Sequence, residues 1–407
     1  MLTQKTLLAS TLALSLLTLA GCNTADNNGA TAPISDVVLK NQSVTPALAK
    51  MMPGETGEVF SLIGSDDKLA QSPNFVFGGS ADGSGLLKNA DGTYTMLVNH
   101  EDNFSVSRVT FDKTFAPIKG DYPLNSDGGL WRLCSATLAT QAEHGFGPVY
   151  LTCGESGQES RTHGLMPTAD VLSNKISKEL AGLGRWSAEN AVPLPKTAYS
   201  GKTAIVIGDD DSNADGGQVA LYLSNTVGDL ENGALHMLKR NDDNQREMDM
   251  KVGTKYPVSF ALIANHKTLT GAQINAQVNT LKAIKFGRVE DVDYRKGSSA
   301  GAAREVYFNV TGLNNTLTNA DYSRSKYGRV YKLVMDAADP LKGTLELLLD
   351  GDDRTGPAKT FQNVDNICVT ENFAYVQEDP NSGYNDQTHD AYIYQYNLTT
   401  EIGRAHV

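Results

Sequence analysis

The chain has 407 residues, 40% hydrophobic and 20% charged, enough for one large core or two ordinary domains; collagen, coiled coil and wholesale disorder are excluded. Its 38 Gly, 16 Tyr and 12 Phe against two Trp point to tight turns and short strands instead of long helices. A net charge of -12 disfavours nucleic acid and anionic lipid as bulk partners and favours bound cations.

At the N-terminus Lys5 precedes an apolar run from Leu7 to Leu19 that ends in Leu19-Ala20-Gly21-Cys22. This pattern reads as a lipoprotein signal peptide over 1–22, with Cys22 as the lipidated residue. It predicts a protein at the cell envelope, periplasm-facing or on the outer membrane, that meets the membrane only through its anchor. Residues 23–47 are small and polar and read as a flexible tether, and no second stretch is long and apolar enough to span a bilayer. Short apolar runs bounded by Gly, Asn or Asp then recur: Phe75 to Gly78, Tyr94 to Asn99, Ser105 to Phe111, Val149 to Cys153, Ala204 to Gly208 and Gln218 to Leu223. They continue with Val306 to Val310, Arg329 to Met335, Thr344 to Leu349, Phe373 to Gln377 and Ala391 to Tyr396. Runs of this kind over 48–400 predict an all-β fold, a single β-propeller of about six blades, although no crisp repeat marks them. Helical spacing of Leu172, Ile176, Leu180 and Leu183, and again of Ile274, Val278, Leu281 and Ala283, predicts two short amphipathic insertions. The last seven residues, 401–407, match what a common sequencing adapter encodes. The domain is therefore expected to be truncated near Thr400, and His406 is discarded as a ligand.

The sharpest local chemistry is Asp211-Ser212-Asn213-Ala214-Asp215-Gly216, which fits the opening of a calcium loop: alternate side-chain oxygens of Asp211, Asn213 and Asp215 converge where the glycine allows a sharp turn. The twelfth position is Tyr222 and not a bidentate Glu, so a calcium turn between strands is expected, with a solvated turn as the plain alternative. Asp350-Gly351-Asp352-Asp353 reads as an ordinary turn. With Cys22 lipidated, Cys134, Cys153 and Cys368 are an odd number in an oxidising compartment. Spacing leaves open a Cys134 to Cys153 disulfide or a thiolate metal ligand.

Several segments, in order, resemble the PhoX-type alkaline phosphatases and the wider family of secreted proteins around them. They are Leu97-Val98-Asn99-His100-Glu101, Leu133-Cys134-Ser135, Thr152-Cys153-Gly154-Glu155, Leu183-Gly184-Arg185-Trp186-Ser187-Ala188-Glu189, Gly208-Asp209-Asp210, Phe286-Gly287-Arg288-Val289-Glu290-Asp291 and Asp365-Asn366. The resemblance implies a β-propeller whose site combines a ferric iron pair with calcium. It implies Cys134, Glu155, Glu189 and Glu290 as metal ligands, Glu101 and Asp365 as further ligands, and Arg288 as a phosphate contact, so that Arg288 and Glu290 are the expected catalytic residues. Arg132 is the only substitute for a lysine the family carries upstream of the cysteine, and is the second expected substrate contact. The family's Cys-Glu-Glu is Cys153-Gly154-Glu155 here, and the leader lacks the usual twin arginine. His100 and His163 lie in family-like motifs, although hydrogen-bonding histidines are commoner than ligands. No nucleotide-binding glycine loop, H-E-x-x-H or G-x-S-x-G motif is present.

The function implied is a metal-dependent phosphomonoesterase acting on small phosphate esters. The alternative is a non-catalytic, calcium-stabilised propeller serving as a binding module on the cell envelope; a calcium-dependent hydrolase of another ester, such as a lactone, is a third reading. Oligomeric state is not legible.

Overall fold

The computed structural model describes residues 37–125, 131–168, 178–313, 318–379, 389–400 and 402–405. The expected signal peptide with Cys22, most of the expected tether, and Leu172 and Ile176 of the first predicted helix lie outside them. No helix among the described residues is long and apolar enough to cross a membrane.

Five four-stranded antiparallel blades follow one another along the described chain. The first is β1 (Ala81–Lys88), β2 (Tyr94–His100), β3 (Ser105–Phe111) and β4 (Pro117–Leu124). The second is β5 (Leu133–Ala139), β6 (Val149–Gly154), β7 (Thr162–Leu165) and β8 (Lys178–Glu179), with the helical turn α1 (Gln141–His144) inside it. In the third, β9 (Ala188–Pro193), β10 (Thr203–Asp209), β11 (Val219–Ser224) and β12 (Ala234–Arg240) are followed by an extra strand, β13 (Lys255–Leu262). Two short helices, α2 (Gly271–Asn275) and α3 (Val278–Leu281), then lead to the fourth blade of β14 (Val289–Tyr294), β15 (Glu305–Val310), β16 (Arg329–Met335) and β17 (Lys342–Asp350). Strand β13 pairs with both β12 and β17, joining the outer edges of blades three and four into one nine-stranded sheet. The fifth blade is β18 (Val364–Val369), β19 (Phe373–Glu378), β20 (Ile393–Asn397) and β21 (Ile402–Ala405).

The architecture is the expected all-β propeller, with five blades among the described residues where length suggested about six. The extra length is taken up by β13 and by the long connections. Ten of the apolar runs lie on strands. Phe75 to Gly78 does not: it is extended chain without a ladder partner, and Phe75 and Phe77 are buried against Val98, Val109 and Phe111 of the first blade. The second predicted helix forms as α2 and α3, with a capping box at Thr270 and Gln273. Of the first, the described part is not α-helical: Lys178–Glu179 is a strand and Ala181–Leu183 a single 3-10 turn. Leu180 and Leu183 are instead buried beside Trp186 in the layer between blades two and three. Tertiary packing there overrides a weak period.

Blades pack face to face through apolar layers. Leu97 and Val106 meet Leu133 and Tyr150; Leu151 and Cys153 meet Ile205 and Ile207. Val206 and Leu221 meet Val292 and Phe308, and Val330 and Leu349 meet Val364 and Val376. The first strands of the blades surround the axis: β1 packs on β5, β5 on β9, β9 on β14 and β14 on β18, and Asn366 of β18 donates to Asp82 of β1 at 3.1 Å to close the ring.

Each of these five inner strands carries a register shift of the same kind near its start. Asp82 and Gly83 stand against the single residue Asn99, Cys134 and Ser135 against Cys153, and Glu189 and Asn190 against Gly208. Glu290 and Asp291 stand against Asn309, and Asp365 and Asn366 against Gln377. A bulge breaks the in-and-out alternation, so both residues of each pair turn towards the axis. The second members form a belt. Asn366 donates to Ser135 at 2.8 Å, Asn190 donates to Asp291 at 2.6 Å, and the Ile367 amide donates to Asp291 at 3.0 Å. The belt borders an axial cavity of about 430 Å³.

At Gly83 the belt has no room for a side chain, because a Cβ would stand 2.2 Å from the Ala136 amide nitrogen. Gly83→Ala is therefore expected to destabilise the fold by about 1–3 kcal/mol, whereas Gly79→Ala, where a Cβ meets nothing within 4 Å, leaves it nearly unchanged. Denaturant unfolding of the two variants checks this; equal midpoints would contradict the packing described.

Candidate metal centre

The first members of the five bulges, together with residues that follow the second strand of each blade, converge at one end of the axis. From the inner strands come Asp82, Cys134, Glu189, Glu290 and Asp365. After the second strands come Glu101 beyond β2, Glu155 beyond β6, Asp210 beyond β10 and Asp379 beyond β19. Three groups have ligand atoms all within 4.8 Å of one another: Asp82, Glu101 and Cys134; Cys134, Glu155 and Glu189; and Glu189, Glu290 and Asp365. Cys134 and Glu189 are each shared by two groups, so the three form a connected row. All six expected metal ligands are brought together.

Hydrogen bonds fix the members individually. The Cys134 thiol donates to Glu155 Oε2 at 2.9 Å, and the Ser135 amide donates to Glu189 Oε1 at 3.1 Å. Asn99 donates to the Cys134 carbonyl, and Asn309 donates to the Asp365 carbonyl at 2.7 Å. Cys134 and Cys153 are both free and buried; Cys153 lies in the apolar layer beside Leu151, so the disulfide that spacing left open is not formed.

The charges are severely crowded. Burial, then Asp210, pushes the Glu155 carboxyl up to about 9, and burial pushes Asp82 up to about 6, with Glu101 adding to it. Glu189, Glu290 and Asp365 are raised well above the carboxylate range by burial and then by neighbouring acids, Asp82 first for Glu189 and Asp365 and Asp210 first for Glu290, and the Cys134 thiol is raised by burial and then by Glu189 and Glu155. Like charges this close cannot all ionise without cations between them. The donor set suits metal: carboxylate oxygens for hard cations, with one thiolate that accepts a transition ion.

Arg288 enters this acid ring. Its Nε lies 2.7 Å from Asp210 Oδ1, and its Nη2 lies 2.7 Å from Asp210 Oδ2 and 3.1 Å from Glu290 Oε1. It borders an open cavity of about 470 Å³ that Glu155, Ser187 and Asp210 also line. The blade that supplies Arg288 is also the one with no acid after its second strand: the residue following β15 is Thr311, whose amide donates to the Arg288 carbonyl at 3.0 Å. Arg132, the second expected substrate contact, pairs with Glu101 at 2.8 Å and Asp102 at 2.6 Å over the first group.

Asp82, Asp210 and Asp379 were not among the predicted site residues. Asp210 stood in a segment that carried the family resemblance, and Asp82 shares a four-residue form with the other inner strands. That form is an apolar or small residue, the ligand, a small or polar residue, then a small or apolar one: Ala81 to Ser84, Leu133 to Ala136, Ala188 to Ala191, Val289 to Val292 and Val364 to Ile367.

Other expectations are placed elsewhere. Asp211 accepts from Asn275 at 2.9 Å and from the amide and side chain of Asn213, while Asp215 is turned to Lys285 at 2.6 Å and to Asn279. In the expected calcium turn these side chains are engaged by Asn275, Asn279 and Lys285. His100 bonds to the Gly79 carbonyl and to Ser107, and His163 is buried in β7; neither belongs to the three groups.

No protein-family profile matches the chain, and no curated protein is similar to it in sequence. Among solved structures, it is similar to Pseudomonas fluorescens PhoX in complex with vanadate, a transition state analogue, with a TM-score of 0.64 and 14% identity over 85% of this chain and 84% of that one. The two share a fold. A weaker likeness, with a TM-score of 0.34 and 11% identity over 79% of this chain and 91% of that one, is to the catalytic domain of Coprinopsis cinerea GH62 α-L-arabinofuranosidase.

The raised carboxyls predict how metal-free protein responds to pH. They keep protons in the fold that they lose on unfolding, so the stability they contribute is complete below the ordinary carboxylate range and is lost as pH rises through their folded values. His144 and His163, both pushed down to about 4 by burial, act with the opposite sign but only between about 4 and 6.5. Between pH 6.5 and 9 the melting temperature of chelator-treated protein should therefore fall steadily, and added metal should remove the slope. A flat profile without metal would contradict the electrostatics described.

Proposed function

We propose that this protein is a metal-dependent phosphomonoesterase that releases phosphate from small organic phosphate esters. The observation that carries the reading is the placement of Arg288 at the open edge of three linked acid groups that share Cys134 and Glu189. The fold likeness to a protein solved with vanadate supports it.

In this reading Cys134, Glu155 and Glu189 would hold iron as part of a ferric pair, and the all-oxygen group of Glu189, Glu290 and Asp365 would suit calcium. Bound metal would polarise the phosphoryl oxygens and neutralise charge that develops in transfer. The chain's own residues bind and orient the ester. Asp210 holds Nε and Nη2 of Arg288, fixing the plane of a guanidinium whose fork matches phosphoryl oxygens. Glu290 ties the same guanidinium to the metal groups, and Arg132 meets the ester from the Glu101 side. The belt of Ser135, Asn190, Asp291 and Asn366 underlies the ligands and holds their strands in register. The leader read in residues 1–22 would tether this activity outside the cytoplasm through Cys22.

The test is metal analysis of the purified protein with a phosphomonoester assay. Cys134→Ser should lose metal and hydrolysis together. Arg288→Ala should keep its metal and lose about 10²–10³ in kcat, the scale for removing one electrostatic stabiliser, with weaker inhibition by vanadate. Protein that is fully metal-loaded yet hydrolyses no phosphomonoester would favour the non-catalytic binding module.

A further inference from the structure

Behind the metal centre lies a buried carboxylate with no place in the ligand set. Glu247, fully buried on the 3-10 turn Glu247–Asp249, accepts the amides of Gly287 and Ser325 on its Oε2, each at 2.9 Å, and the Tyr331 hydroxyl on its Oε1 at 3.1 Å. Gly287 immediately precedes Arg288, whose φ is +71°. A long side chain rarely adopts this left-handed conformation, and it persists only where the surroundings over-determine it.

The surroundings do so from several sides. The Phe286 amide donates to the Gly217 carbonyl at 2.9 Å, and Gly217 is close enough that a Cβ there would stand 2.1 Å from the Phe286 oxygen. The Gly312 amide donates to the Gly287 carbonyl at 2.7 Å. Glu247 is the side-chain anchor of this turn, and Arg329 beside it donates to the Glu247 main-chain carbonyl at 3.0 Å and pairs at two points with Asp350. Removing the carboxylate would leave two buried amides without an acceptor, which costs more than an ordinary hydrogen bond contributes.

We propose that Glu247 is a positioning residue for phosphate binding: by holding the Gly287 amide, it fixes the left-handed turn that aims the Arg288 guanidinium into the site. The proposal rests on the phosphomonoesterase reading, and the experiment separates the two. Inorganic phosphate affinity and metal content are measured on metal-loaded full chain for Glu247→Ala, Glu247→Gln, Arg288→Ala and the double variants. Glu247→Ala should keep its metal and weaken phosphate about tenfold, Glu247→Gln, which retains an acceptor oxygen, should restore most of that loss, and neither should add to the effect of Arg288→Ala. Equal losses with and without Arg288, loss of metal, or unchanged affinity in Glu247→Ala would overturn the proposal. If Glu247→Ala does not fold, Glu247→Gln takes its place in the cycle, with a smaller loss that must again vanish in the Arg288→Ala background. Unchanged phosphate affinity in Arg288→Ala itself would instead overturn the phosphomonoesterase reading.

Discussion

Carboxyl groups buried within a few ångströms of one another repel, and burial removes the water that would screen them. That constraint governs the centre of this protein. Glu155, Glu189, Glu290 and Asp365 are all driven towards the protonated form, and Cys134 among them is driven towards the thiol. Bound cations would oppose each of these shifts at once. The acid ring therefore links metal binding to stability: the apolar layers between blades hold the ring together against its own repulsion, and counterions would turn that repulsion into attraction.

The fold meets the constraint by repetition. Five inner strands start at the same end of the axis, and each gives up strict alternation at the same point so that two successive side chains face inward. The upper member of each pair is a ligand type, and the lower member, Gly83, Ser135, Asn190, Asp291 or Asn366, is small or forms hydrogen bonds. Blade-to-blade bonds such as Asn190 to Asp291 and Asn366 to Asp82 tie neighbouring inner strands together around the ring. A bulge is thus the means by which a sheet-built scaffold presents a dense ligand set.

Asymmetry enters in the fourth blade. Where the other blades place an acid after the second strand, Thr311 stands instead, and the preceding loop delivers Arg288. Its backbone sits in an unfavourable region, clamped by Glu247, Gly217 and Gly312, and its guanidinium is held by Asp210 and Glu290. Arg288 and Glu290 belong to the fourth blade and Asp210 to the third, so the site spans the boundary between two blades.

Sequence alone determined the class of fold, because strands whose two faces meet different neighbours still read as apolar runs between turns, as at Ala204 to Gly208 and Thr344 to Leu349. It also singled out Cys134, Glu155, Glu189 and Glu290, through short motifs in a shared order, and the structure brings these four into linked groups. It did not reveal the five inner strands: none of β1, β5, β9, β14 and β18 appeared among the apolar runs, because a ligand and a polar residue interrupt each one where it reaches the axis. The same interruption hid Asp82. Nor could spacing show that Asp211 and Asp215 turn to Asn275 and Lys285, since those partners lie about sixty to seventy positions away in sequence. Which acids converge, how many blades close the ring, and that Cys134 stays a free thiol were decided by tertiary structure, since each depends on distances between strands of different blades that no local pattern records.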